Sequence, residues 1–130
     1  MPYTETFRPD VQRVLDRLIR EHGQLSLAML YKRSDAPEDS WNFILAAPWA
    51  EKIGWAQAID VVTRALSEEL GAENKVLVSR VTILPTADQF VREITSMYQV
   101  ASPGTEQWVT SMSIAGIPIG VGYILYSQAV

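Results

Sequence analysis

The last charged residue of this 130-residue chain is Glu106, and everything after it is uncharged, closing on SMSIAGIPIGVGYILYSQAV. An apolar run of this kind has to leave water somewhere. It can cross a membrane, cradle a ligand on its glycines, or be buried as sheet. As a helix, the apolar centre from Met112 to Tyr126 would span about 22 Å against a hydrocarbon core of roughly 30 Å. It contains Gly116, Pro118, Gly120 and Gly122, and no Lys or Arg flanks it. Both facts argue against an anchor. The phosphate-binding loops that GIPIGVG resembles in spelling place their glycines between a strand and a helix N-terminus. Here no helical pattern follows the glycines and no lysine is near.

Read as a hairpin turning at Ala115 and Gly116, the tail becomes orderly. Ile114 then faces Ile117, Met112 faces Ile119, Thr110 faces Val121 and Trp108 faces Tyr123, which predicts one apolar face. The other face pairs Ser113 with Pro118, Ser111 with Gly120 and Val109 with Gly122, and is almost all small. A slip of one residue would scatter that separation, which fixes the register. Pro118 cannot donate to a ladder, so the start of the last strand is expected at a sheet edge. The small face is expected to seat either a helix of the chain or another molecule. Ser111, Ser113, Pro118, Gly120 and Gly122 are therefore candidate interface residues.

The length fits a single globular domain over residues 1–130. RPDVQRVLDRLIREHG places Val11, Val14, Leu15, Leu18 and Ile19 on one helical face, with Pro9 and Gly23 as start and stop signals. QLSLAMLYKR and SWNFILAA alternate as half-buried strands and predict an antiparallel hairpin. PWAEKIG reads as a capping stretch before the helix WAQAIDVVTRALSEELG, whose apolar face is predicted from Trp55, Ile59, Val62 and Leu66. KVLVSRVTIL predicts a third strand, and Thr86 with Gln89 a capping box before a short helix. The order α-β-β-α-β-α-β-β predicts an α+β fold. Its five-stranded mixed sheet would have three helices mainly on one face, a C-terminal β-hairpin, and room for a parallel pair between the second and third strands.

Composition narrows function mainly by exclusion. Cysteine is absent, which removes disulfides, thiolate metal sites and cysteine nucleophiles. The net charge of −4 argues against a protein built to grip phosphate backbones. Arg13, Arg17 and Arg20 form a stripe on the first helix, but acids four residues away suit ordinary surface pairs. His22 is the only histidine, in the last helical turn, where its charged form would suit the dipole. Alone it cannot build a dyad or a multi-histidine site. No serine stands in a G-x-S-x-G context.

Two acidic groups remain. Asp35, Glu38 and Asp39 cluster between the first two strands, without the spacing or glycine of a calcium loop. Glu73 and Lys75 spell the E-x-K of metal-dependent nucleases, but ahead of a strand rather than within one. Trp49, beside the bend, is either a core plug or an aromatic anchor for a partner, while Trp55 is expected in the core.

These residues predict a non-enzymatic interaction or oligomerisation module needing no cofactor, acting as a homo-oligomer or with a protein partner through the last hairpin or Trp49. The start MPYTETFRPD lacks the pattern of a signal peptide, so a soluble, cytoplasmic location is expected. One alternative is a metal-dependent phosphodiesterase or nuclease using Asp35, Asp39, Glu73 and Lys75. Another is a small-ligand domain with an apolar pocket over the glycines.

Overall fold

A computed structural model describes residues 7–33, 41–70, 78–100 and 107–128. Helix α1 (Phe7–His22) leads into strands β1 (Leu27–Arg33) and β2 (Trp41–Ala46). Two helices follow, α2 (Pro48–Ile53) and α3 (Trp55–Glu69). Then come β3 (Val78–Ile83), α4 (Gln89–Met97) and the hairpin β4 (Gln107–Ile114) with β5 (Ile117–Ser127). The strands form one mixed sheet in the order β3-β2-β1-β5-β4, with β2 and β3 parallel and the other neighbours antiparallel.

The expected order of elements holds, with one helix more than the periodicity predicts. PWAEKI is helical, with Pro48 in its first turn and Gly54 at its end. Gly54 has φ +93°, a conformation that side chains resist, and it separates α2 from α3 at a sharp bend.

β1 is the central strand, and it is buried on both faces rather than half-buried. Ala28 and Leu30 face a core built with α1, α2 and α3, while Leu27, Met29 and Tyr31 face a second core under α4. The strand has layers on both sides, so its alternation is of size rather than of polarity. α4 starts at Asp88, whose Oδ1 accepts the Phe90 N–H at 2.9 Å. The cap is thus Asp88 and not the Thr86–Gln89 box. The Thr86 N–H instead donates to Glu51 Oε2 at 2.7 Å, tying α2 to the loop before α4 and holding the Glu51 carboxyl below its usual pKa.

The C-terminal hairpin has the register its residues predict, from Ile114↔Ile117 through Met112↔Ile119 and Thr110↔Val121 to Trp108↔Tyr123. Ala115 and Gly116 have φ of +50° and +83°, as a two-residue turn of the I′ type requires. Alanine resists that region by roughly 1–2 kcal/mol. Ala115→Asn should therefore stabilise the protein by about 1 kcal/mol in urea unfolding, without changing the fold. A loss of stability there would contradict the turn geometry.

Ser111 and Gly120 are skipped in the pairing on both strands, and Ser111 has φ +51°. β1 also steps over Gly120, pairing Lys32 with Val121 and Arg33 with Ile119. One extra residue on each strand preserves the register but exchanges the faces beyond it. Ile119 and Ile124 share the α4 core although an odd spacing separates them, and so do Val109 and Met112. The predicted continuous apolar and small faces are therefore each broken at this bulge. Among the described residues, no helix is long and apolar enough to cross a membrane.

Candidate functional site

With β1 at its centre, the sheet ends in two edge strands, β3 and β4, and no described strand lies outside either. An unpaired edge presents a row of N–H and C=O groups, which natural proteins usually protect with charge, proline or a covering element. β4 reads QWVTSMSI and contains no charged residue and no proline. Among the described residues, its one edge device is the kink at Ser111.

Trp108 stands on this edge. It is 44% exposed. Its ring lies 4.4 Å from that of Tyr123, which in turn lies 5.7 Å from the buried Trp41, and Lys32 Nζ sits 4.7 Å from the Trp41 ring centroid. An aromatic file thus runs from this edge strand into the core. The bulge creates it, because the exchange of faces turns Trp108 and Tyr123 toward the α1–α3 side while sending Val109 and Gly122 under α4. The file fixes Trp108 on its inner side and leaves the rest of the indole to solvent, as an interface anchor needs. Trp108 was legible as an apolar residue of the hairpin. Its exposure depends on strand order, which pattern alone does not supply.

The predicted interface residues do not form one surface. Ser111 and Ser113 are exposed and Pro118 and Gly120 half-buried, whereas Gly122 is buried. A Cβ at Gly122 would stand 2.9 Å from Met29 Cε and 3.1 Å from Val109 Cγ2. The chain itself fills that position, so no ligand pocket opens over Gly122. Pro118 lies one residue beyond the last β1 pair, in a central strand rather than an edge strand. Ile114 and Ile117, the pair that closes the two-residue turn, are hydrogen-bonded and the next pair, Ser113 and Pro118, is not, so the Pro118 nitrogen is directed away from β4 and β4 needs no donor from it.

Of the two tryptophans around Gly54, Trp49 takes the core position and not the interface one, and Trp55, expected in the core, lies outside it. Trp49 is 8% exposed and stacks on His22 at 4.8 Å, inside the α1–α3 core. Trp55 is 46% exposed. The buried face of α3 consists of Ala58, Val62, Ala65 and Leu66. Two alanines let α3 approach closely, which leaves the larger Trp55 and Ile59 outside the contact. His22 thus serves as a packing partner for Trp49.

The arginine stripe is largely neutralised. Arg17 reaches Glu21, Glu68 and Glu69 at 3.3, 2.6 and 3.3 Å, and Arg13 pairs with Asp10 and reaches Glu69 at 3.8 Å. Acids of α3 therefore face the cations of α1, leaving little positive surface for a phosphate backbone. Asp35, Glu38, Asp39, Glu73 and Lys75 all lie outside the described residues. Among the described residues, no group of three or more His, Asp or Glu side chains could hold a metal ion. No family model, no curated protein and no solved structure matches the chain.

Proposed function

We propose that this protein is a non-enzymatic interaction module that associates with further copies of itself through strand β4. The observation that supports this reading is a half-exposed tryptophan held on an uncharged edge strand that no described strand covers. Pairing at an edge satisfies backbone groups that are otherwise left to water, and a fixed aromatic ring adds apolar area at little entropic cost. The absence of charge in β4 matters for self-association in particular. Two copies of an acidic chain repel at a distance, but β4 brings no charge of its own into a contact. A cysteine-free chain fits a reducing cytoplasm, which belongs to the same proposal.

The test is molar mass as a function of concentration, by light scattering or sedimentation. The wild type should exceed its monomer mass of 14.5 kDa in the micromolar range. Trp108→Ala should weaken association by about 2 kcal/mol or more, roughly 30-fold in Kd, while keeping the wild-type circular dichroism. A wild type that stays monomeric into the millimolar range would end the proposal.

A further inference from the structure

Trp108 projects from one edge of the sheet, and the opposite edge has an apolar hollow on the same face. On β3, Val78, Val81 and Ile83 point toward the α1–α3 core but are only half-buried, whereas Trp41, Phe43 and Leu45 on the adjoining β2 are fully buried. The core thus runs out one strand before the sheet does. Between α3 and β3 lies a groove of about 200 Å³, lined by Thr63, Leu66, Ser67, Leu70, Val78 and Val81. None of these is charged. Charged groups nearby on α3 are paired: Asp60 with Arg64 at 2.8 Å, and Glu68 with Arg17 at 2.6 Å. A cavity of about 150 Å³ with apolar walls admits benzene, so this groove has room for one aromatic side chain.

We infer that the groove receives Trp108 of a second copy, with β4 of that copy laid alongside β3. The inference rests on the reading of β4 as a self-association edge and names the surface it meets. Three observations fit the two together. Tyr123, which holds Trp108, packs against the same core as Val78 and Val81, so ring and groove lie on one face of the sheet. Where two edge strands abut, side chains of one face lie side by side, which would bring the ring over β3 and beneath α3. The groove lining and β4 are uncharged, and Arg80, the one charged residue of β3, pairs with Asn42 and so lies on the other face of the sheet, so seating the ring in the groove strips no ion of water. Ile59 and Trp55, one and two turns before Thr63 along α3, are 42% and 46% exposed and would flank the incoming strand.

Such a contact joins unlike surfaces. It therefore continues into a chain or a ring instead of stopping at a pair. Ser67→Trp plugs the groove from an exposed position, and Thr63→Arg places a charge in it. Each should raise Kd at least ~30-fold with melting behaviour unchanged, as should Trp108→Ala. An equimolar mixture of Trp108→Ala and Ser67→Trp contains one intact ring and one intact groove. Its mass should rise to that of a dimer and no further.

Groove variants that assemble like the wild type would overturn the inference and leave β4 self-association standing. So would a wild type whose mass saturates at the dimer, or a mixture that stays monomeric while the wild type assembles. A monomeric wild type would remove both readings at once.

Discussion

Gly122→Val should destabilise the protein by about 3 kcal/mol, the upper end of what overpacking a core costs. Gly122 pairs with Val109 on one side and Tyr31 on the other, in the layer beneath α4. An added Cβ would already stand 2.9 Å from Met29 Cε and 3.1 Å from Val109 Cγ2, with the Leu30 carbonyl oxygen at 3.4 Å. The end of Met29 can swing aside. Val109 is branched at Cβ and stiff, and the carbonyl is fixed in the ladder. Gly122→Ala would regain roughly 0.5–1 kcal/mol of backbone entropy, so its net loss should be smaller, about 1 kcal/mol. Combining Gly122→Ala with Val109→Ala should cost at least ~1 kcal/mol less than the two single losses added together, because the second change removes the obstruction met by the first. Urea unfolding measures all four members of the cycle. A Gly122→Val protein within about 0.5 kcal/mol of wild type would mean that β5 does not turn this residue under α4.

That result would also test the step at which sequence reasoning lost the structure. The hairpin register was readable because Ile114, Met112 and Trp108 oppose Ile117, Ile119 and Tyr123 about a short turn. The parallel β2–β3 pair was permitted, though not required, by the helical crossover between the strands. The bulge at Ser111 and Gly120 was not. Alternation assigns faces only while the strand stays regular, and a positive φ at a serine has no spelling of its own. The glycine in the skipped pair marked a place where regularity could fail, without saying which residues would change sides.

Trp49 and Trp55 illustrate a second limit. Helical periodicity weighs large apolar side chains, so it selected Trp55 and Ile59. Packing selected Ala58 and Ala65, because a small face brings α3 nearer to its neighbours and buries more backbone-proximal surface. The same geometry explains why the candidate site was only half legible. Exposure of Trp108, and the hollow between α3 and β3, arise from which strands end the sheet, a property of topology rather than of any local segment.

Phe90→Ala should have the larger effect on stability, a loss of about 3–5 kcal/mol. Among the described residues, α4 is the only helix on its face of the sheet. It is held there by Phe90, Val91 and Ile94, all essentially without exposure. Phe90 is the largest of the three, and its ring lies 6.3 Å from that of Tyr31 on the central strand. Truncation leaves a cavity facing Tyr31 that the rigid sheet cannot close, and it removes the bulk that presses α4 down. A domain of this size has roughly 5–15 kcal/mol in total, so the variant should keep little reserve at 37 °C. Phe90→Leu retains most of the apolar volume and should lose far less, roughly 1–1.5 kcal/mol. The comparison separates packing from capping, because Asp88 still accepts the backbone N–H of residue 90 in either variant. If α4 comes away before the rest, the urea slope of Phe90→Ala should fall, since less surface remains to be exposed in the main transition. Equal losses for alanine and leucine would show that the ring's volume is not what holds the helix.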